Sequence, residues 1–320
     1  MLRTNRLMPT LVCLLLGVCG CVSSPKPDTE ARRLAALASE NHDWGQAMGL
    51  WNSVLEGRRG QDAEARLHLG EALLEEGRGL GAIKILRVEL PTPGTELKYG
   101  LLLARAHFSQ KQARAGRQVL NALLTEHAGN VEVLTLYGKS LLGGDWEAKG
   151  LGLLLQALRV DRGPGHLAED VAMRARALNL RDMEGEAWTL RLESAEPPVE
   201  AYVGAAEWAM YKAEQGGTEP PPSTVLHLTV AVKLDPLNGR AWTLIGGLRS
   251  SRDEHVEARQ AYREALSVDP GNWAACLALA RSFAEAGDCI EAKVWTQYAL
   301  GTLQGELDRE PFEELEADCE

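Results

Sequence analysis

One stretch, residues 239–272, constrains the fold more than any other because small and large apolar residues recur in it at fixed spacing. Positions 4, 7, 8, 20, 24, 27 and 32 of this stretch hold Trp242, Ile245, Gly246, Ala258, Tyr262, Ala265 and Pro270. Small residues at positions 8 and 20 would let two antiparallel helices approach closely, and the large apolar side chains would fill the gap between them. Proline at position 32 would end the second helix. The stretch therefore predicts a helix-turn-helix unit.

The same small residues recur along the rest of the chain. With units starting at 28, 63, 97, 131, 168, 199, 239 and 273, position 8 holds Ala35, Gly70, Ala104, Gly138, Ala175, Ala206, Gly246 and Ala280. Position 20 holds Ala47, Ala82, Gly116, Gly150, Ala187, Thr224, Ala258 and Ala292. The pattern resembles the tetratricopeptide repeat, a helix-turn-helix of about 34 residues. The resemblance implies an all-α, right-handed superhelical solenoid of about eight units.

Departures from the pattern fall in three of these units. The eighth has Cys276 at position 4 and Thr296 at position 24. The fifth carries Arg174 at position 7 and Arg191 at position 24, which thins its predicted core. A hinge at the fifth unit is the alternative to one continuous array, which we favour because each unit buries the face of its neighbour. The sixth unit contains an insertion, residues 214–222, which we expect to form a surface loop.

The chain begins with a targeting segment. Arg3 and Arg6 precede an apolar run over residues 7–18, which is too short to span a bilayer. The residues after it resemble a bacterial lipoprotein signal, in which a small residue precedes the cysteine that receives the lipid. Because Gly20 precedes Cys21, the resemblance implies a signal peptide over residues 1–20 and lipid attachment at Cys21. The mature protein would then be anchored in the outer membrane and face the periplasm.

Other interpretations of this segment stay open. Cys19, two residues before Cys21, departs from the usual signal, and Cys13 and Cys19 are weaker lipid sites because each follows a valine. An ordinary cleaved signal would give a secreted repeat protein without an anchor. If Cys21 is the anchor, residues 21–29 form the tether. Its residues 22–29 reach at most about 30 Å, so the folded part would lie close to the membrane.

The predicted repeats occupy residues 30–306, in units near 28–62, 63–96, 97–130, 131–164, 168–198, 199–238, 239–272 and 273–306. Residues 307–320 follow and are acidic, with Phe312 and Leu315 as the sizeable apolar pair. We expect this segment to cap the last helix, because a solenoid must cover its final apolar face. A free acidic docking tail is the alternative.

Charge and cysteine content restrict the partners and the redox chemistry. The chain has 34 Lys and Arg against 45 Asp and Glu, and loss of Arg3 and Arg6 with the signal would leave a net charge of −13. Such an acidic protein is a poor candidate for binding nucleic acid. Cys276 and Cys289 start the two antiparallel helices of the last unit, at opposite ends of the hairpin, so we expect no disulfide between them. Cys319 could reach Cys289 or another molecule.

No residue pattern predicts an enzyme. The seven histidines lie scattered without metal-ligand spacing, and no nucleotide-binding or nucleophile motif is present. Gly77, Gly79 and Gly81 fall between two predicted helices, where a turn requires glycine, rather than in a phosphate-binding loop. We therefore expect no catalytic residue, no metal site and no cofactor.

In tetratricopeptide arrays the first helices line a concave groove, into which positions 2, 5, 9, 12 and 13 face. Position 9 holds Arg105, Lys139 and Arg176 in three consecutive units. The resemblance thus predicts a partner-binding groove lined by Lys98, Leu101, Arg105, Phe108, Thr135, Lys139, Leu142, Arg176 and Asn179. Aligned cations beside apolar side chains could hold an acidic segment or the C-terminal carboxylate of a peptide. The alternative is that Glu132, Glu169 and neighbouring acids neutralise these cations.

Two classes of function remain. The first is a lipid-anchored, non-enzymatic scaffold of the bacterial envelope that binds a protein or peptide client. The resemblance links such scaffolds to pilotins, which help assemble the type IV pilus secretin, or alternatively to adaptors for enzymes of cell-wall or outer-membrane biogenesis. The second class is an envelope enzyme or enzyme subunit. The repeats disfavour it, because they leave no room for a catalytic domain.

Overall fold

The computed structural model describes residues 27–87, 96–161, 165–302 and 309–318. These ranges are helical, with turns between the helices and no strand. The chain divides into two compact blocks, an N-terminal block of residues 1–119 and a C-terminal block of residues 120–320. The predicted signal peptide, Cys21 and Cys319 lie outside the described residues.

The described helices follow one another without long interruptions. The N-terminal block holds α1 (Pro27–Glu40), α2 (Trp44–Gly57), α3 (Ala63–Glu75), α4 (Gly79–Leu86) and α5 (Glu96–Ser109). The division between the blocks falls inside α6 (Ala113–Glu126). The C-terminal block continues with α7 (Val131–Leu141), α8 (Glu147–Val160), α9 (Gly165–Ala177), α10 (Arg181–Leu192), α11 (Val199–Gly216), α12 (Pro222–Leu234), α13 (Gly239–Ser250), α14 (His255–Val268), α15 (Trp273–Glu285), α16 (Cys289–Thr302) and α17 (Glu310–Asp318). The predicted all-α fold of helix-turn-helix repeats is confirmed. The fifth repeat, which is the site of the alternative hinge, lies within the C-terminal block.

Tight turns with left-handed backbone join the two helices of a repeat. At position 15, φ is positive in five repeats: His42 (58°), Gly77 (73°), Lys111 (59°), Asp253 (60°) and Gly287 (77°). A residue in this conformation ends one helix and redirects the chain into the next. Gly77 therefore serves the turn, as predicted, whereas Gly79 and Gly81, also expected between the two helices, lie inside α4.

Asparagine side chains fix where several first helices begin. Asn130, Asn238 and Asn272 each accept a hydrogen bond from the backbone N–H three residues further on, at 3.0, 2.9 and 3.1 Å. Such N-caps satisfy a backbone donor that has no partner inside the helix. They set the starts of α7, α13 and α15.

The small residues at positions 8 and 20 lie where the two helices of a repeat meet, and all of them are buried. A Cβ atom on Gly138 would lie 2.8 Å from the carbonyl oxygen of Gly150, and the reverse distance is also 2.8 Å. In the seventh repeat a Cβ atom on Gly246 would lie 2.4 Å from Cε1 of Tyr262. Side chains at these places would force the helices apart, because protein interiors are close-packed.

The insertion of the sixth repeat is only partly a loop. The helix α11 continues through residues 214–216, and the exposed turn comprises residues 217–221. Gly217 ends the helix with φ of 59°, and Pro222 starts α12. The predicted loop over residues 214–222 is corrected accordingly. Glu214 and Gln215 favour a helix, so α11 gains a turn before glycine ends it.

The helix α17 covers the end of the C-terminal block. Phe312 is fully buried and joins the core that includes Leu279 and Phe283 of α15. Leu315 is also buried, whereas the acidic residues Glu313 and Glu314 face solvent. The segment thus has the position and the polarity of a cap.

Two cysteines lie in the described residues, and both are free thiols. Cys276 is buried, with its sulfur 3.2 Å from the carbonyl oxygen of Trp295. Burial raises the pKa of this thiol to about 11. Cys289 is half-buried.

Candidate functional site

A pocket of about 330 Å³ opens in the C-terminal block, between the end of α9, the start of α10, the middle of α11 and the start of α13. Its lining consists of Arg176, Asn179, Arg181, Glu184, Gly185, Gly204, Glu207, Trp208, Tyr211 and Arg240. These residues come from the fifth, sixth and seventh repeats. Half of them stand at positions 2, 9, 12 or 13 of their repeats, which the resemblance assigns to the concave groove.

Charged side chains of alternating sign form a row across the pocket. Nε of Arg176 donates to Oε1 of Glu184 at 2.6 Å, and its Nη2 lies 3.7 Å from Oε2 of Glu207. Arg240 in turn contacts the same Oε2 atom of Glu207. Guanidinium groups suit a row of alternating charges because their N–H donors are held in a rigid plane.

Positive charge exceeds negative charge in this lining, since it contains Arg176, Arg181 and Arg240 but only Glu184 and Glu207 as acids. This excess of positive charge acts on Arg240, which lies at the opposite end of the row from Glu184. Removal of water from around its guanidinium, together with the positive charges of Arg176 and Arg181, lowers the pKa of Arg240 to about 10. An anion entering the pocket would relieve this repulsion.

Arg181 stands at the mouth of the pocket because of a tight turn. Asn179 has φ of 55°, a left-handed conformation that asparagine tolerates, and Leu180 N–H donates to the carbonyl oxygen of Ala175 at 2.8 Å. This turn ends α9 and starts α10 at Arg181. The guanidinium of Arg181 then lies over the ring of Tyr211, with its central carbon 5.3 Å from the ring centroid.

The apolar wall of the pocket rests on two glycine–tryptophan contacts. A Cβ atom on Gly185 would lie 1.9 Å from Cγ of Trp208, and one on Gly204 would lie 2.3 Å from Cδ1 of Trp188. The indole rings therefore lie directly on the facing helix backbones. Nε1 of Trp208 and Nε1 of Trp188 are buried and have no hydrogen-bond partner among the described residues. These two buried donors without an acceptor are a local cost to stability.

Two predicted site residues, Arg176 and Asn179, belong to this pocket. Of the other predicted residues in the C-terminal block, Lys139 is exposed and Thr135 half-buried on α7. Leu142 packs against the core of the fourth and fifth repeats rather than standing free. Arg176 is paired with acids, as the alternative interpretation proposed, although its partners are Glu184 and Glu207.

The remaining predicted residues lie on α5 in the N-terminal block. Lys98 and Arg105 are exposed and stand close enough to Glu71 for their charges to act on it. The pKa of Glu71 is lowered mainly by its hydrogen bond with His68 and further by these two cations.

One apolar prediction for α5, Leu101, is corrected. Leu101 is 4% exposed and offers no surface to a partner. Phe108 is half-buried, and its ring packs on Gly116 of α6, where a Cβ atom would lie 2.7 Å from Cε1.

Sequence analysis missed most of the pocket. The predicted groove does not include Arg181, Glu184, Trp208, Tyr211 or Arg240. The last two nevertheless stand at groove positions 13 and 2 of their repeats. One signal was present: glycines occur inside α10 and α11, where the repeat pattern does not call for a small residue. A glycine inside a helix often marks a close approach by another group.

The described residues contain no group of three or more His, Cys, Asp and Glu side chains that could hold a metal ion. None of the described helices combines the length and the apolar character needed to cross a membrane.

Comparisons with known proteins give structural neighbours only. No protein-family model matches the chain, and a search of curated proteins found no match. The chain is similar to the C-terminal part of a TPR repeat-containing protein from Cytophaga hutchinsonii, at 13% identity and a TM-score of 0.47, over 77% of this chain and 98% of that chain. It is similar to YrrB, a TPR protein with an unusual peptide-binding site, at 14% identity and a TM-score of 0.44, over 63% and 99% of the two chains. It is also similar to pilF of Pseudomonas aeruginosa, at 11% identity and a TM-score of 0.42, over 68% and 97%. These likenesses concern the helical repeat fold alone.

Proposed function

We propose that this protein is a non-enzymatic scaffold that binds partner proteins, and that the pocket between α9 and α13 takes a carboxylate from an acidic or C-terminal segment of the partner. The observation that carries the proposal is the convergence of Arg176 and Arg181 of the fifth repeat and Arg240 of the seventh on one cavity that two aromatic side chains also line. Arginine binds carboxylates through charge-assisted hydrogen bonds, and aromatic rings supply contact area beside them. Lys98, Arg105 and Lys139 supply further exposed cations on first helices.

We further propose that lipid at Cys21 anchors the scaffold in the outer membrane, facing the periplasm. The lipoprotein-like residues around Cys21 support this proposal. Because α1 begins at Pro27, the tether comprises only residues 22–26. At about 3.3 to 3.6 Å per residue such a tether reaches less than about 20 Å, so α1 would lie next to the membrane.

The clients that we propose are components of a type IV pilus or its secretin. Enzymes of cell-wall or outer-membrane biogenesis are the alternative clients. Both proposals rest on the resemblance to lipid-anchored repeat proteins of the bacterial envelope. The two client classes separate in a single capture experiment.

Capture by chemical crosslinking from envelope membranes tests the scaffold. The parent protein would be compared with an Arg105→Glu/Lys139→Glu variant, and Arg78→Glu/Lys233→Glu would control for the change in net charge. We expect mass spectrometry to identify a client that the first variant loses and the control keeps. Secretin or pilus components in that role support the first client class, and cell-wall enzymes support the second. Equal capture by parent and variant would contradict a role for these cations.

The anchor has a separate test. We expect Cys21→Ala to move the protein from the membrane fraction to the soluble periplasmic fraction, because a cysteine thiol is required for lipid attachment. Immunoblots of both fractions would show the shift. Retention of the variant in the membrane fraction would contradict lipidation at Cys21.

A further inference from the structure

We infer that Glu184 and Glu207 restrict the pocket to a ligand group with a single negative charge, an isolated carboxylate next to an aromatic or other flat side chain, and select against clusters of acidic residues. The inference rests on the proposed function, since it assumes that the pocket binds a segment of a partner. It assigns these two glutamates a role in specificity.

The charges that line the pocket limit what it can hold. Arg176 is occupied by Glu184 at 2.6 Å, and Glu207 lies against both Arg176 and Arg240. The acids therefore neutralise two of the three arginines. Arg181 has no carboxylate within ion-pair distance among the described residues and contacts the Tyr211 ring instead. One positive charge is left for a ligand.

A second negative charge on the ligand would meet the internal acids. Glu184 lies at one end of the row of charges, on the same helix as Arg181. Glu207 lies at the centre of the row. Like charges at such short range repel, and the repulsion is strong where water is partly excluded. An acidic cluster would have to displace a glutamate from an arginine that it already satisfies.

The walls of the pocket favour a flat group beside the carboxylate. Trp208 and Tyr211 lie on α11, three residues apart and therefore on one face of the helix. Arg181 already lies over one aromatic ring and can stack on a second from the ligand.

Fluorescence anisotropy with labelled peptides tests this selectivity. The probes are octapeptides of glycine and serine, amidated at the C-terminus, that carry one phenylalanine followed by one, two or three glutamates. They would be titrated against the parent, Glu184→Gln, Glu207→Gln and Arg181→Gln. The control is Glu186→Gln, which removes a carboxylate from the same helix, α10, at a site where it pairs with Arg159 outside the pocket. Circular dichroism would confirm that each variant is folded.

We expect the parent to bind the peptide with one glutamate best and to lose about threefold in affinity for each added glutamate. Glu184→Gln and Glu207→Gln should reverse this order, Glu186→Gln should keep it, and Arg181→Gln should weaken the first peptide about tenfold. Affinity of the parent that rises with each added glutamate would overturn the inference and leave the proposed function standing. An unchanged order in both pocket variants would overturn it as well. Failure of every peptide to bind the folded parent would overturn the assignment of the pocket as a peptide site, and the inference with it.

Discussion

The fourth and fifth repeats both have small residues at positions 8 and 20, glycines in the fourth and alanines in the fifth, but they differ in character at positions 7 and 24. In the fourth repeat these two positions hold Tyr137 and Leu154, which are 7% and 1% exposed. In the fifth repeat they hold Arg174 and Arg191. Positions 7 and 24 of the same helix-turn-helix unit are therefore filled by buried, largely apolar side chains in the fourth repeat and by arginines in the fifth.

The arginines of the fifth repeat hold their positions through ion pairs. Nη1 of Arg174 lies 2.9 Å from Oε1 of Glu147 in the fourth repeat, and Nε of Arg191 lies 2.7 Å from Oε1 of Glu169. Trp188, a large side chain of the fifth repeat, is buried as well. The comparison indicates that a repeat can do without large apolar side chains at positions 7 and 24 where ion pairs hold the residues that replace them.

The largest effect should follow from copying position 24 of the fifth repeat into the fourth. We expect Leu154→Arg to destabilise the C-terminal block by about 4 kcal/mol or more, because it buries a charge without the acid that accompanies Arg191. Urea unfolding followed by tryptophan fluorescence would measure the loss. A variant that unfolds within about 1 kcal/mol of the parent would show that the two repeats tolerate arginine equally.

A second variant tests the close approach of the helices in the fourth repeat. We expect Gly150→Ala to cost about 3 kcal/mol, since its Cβ atom would lie 2.8 Å from a backbone oxygen, which cannot move aside as a side chain can. Gly152→Ala is the matched control on the same helix, where the nearest atom, Cε of Met183, would lie 3.9 Å away. The control should stabilise by about 0.5 to 1 kcal/mol, because alanine favours a helix more than glycine does. Equal effects of both changes on the unfolding midpoint would refute the close approach.

The smallest effect should come from the fifth repeat. We expect Arg191→Ala to cost about 1 to 2 kcal/mol, because it leaves Glu169 without its cation while that carboxylate keeps some contact with water. Arg191→Met should stay within about 1 kcal/mol of the parent, since it restores most of the packing. Thermal unfolding of the three proteins gives the comparison. A larger loss for the methionine variant than for the alanine variant would contradict the packing role of the Arg191 side chain, and no loss in either variant would contradict a contribution of its ion pair with Glu169.

The fold could be predicted from the sequence because helix packing leaves a local record. The spacing of Gly138 and Gly150 in the sequence predicts that two helices come into close contact there, and both glycines lie at that contact. Groove positions were also informative, since Arg176, Asn179 and Arg240 occupy them and line one pocket.

The details of the site could not be predicted in the same way. Whether Arg176 meets a ligand or Glu184 depends on side-chain directions set by the next two repeats. The contact of Trp208 with Gly185 likewise joins residues of different repeats, for which a single repeat pattern has no position. Leu101 has a groove position and is nevertheless buried, which the repeat pattern does not indicate.

The most direct test of the central claim places a photo-crosslinking amino acid at Asn179, in the pocket of the fifth repeat, or at Gln156, on the exposed side of α8 in the fourth repeat. Both proteins would be irradiated in envelope membranes, and crosslinked clients would be identified by mass spectrometry. We predict that a client is crosslinked from position 179 and not from position 156. A client that is crosslinked from position 156 as strongly as from position 179, or only from position 156, would contradict the assignment of partner binding to the pocket.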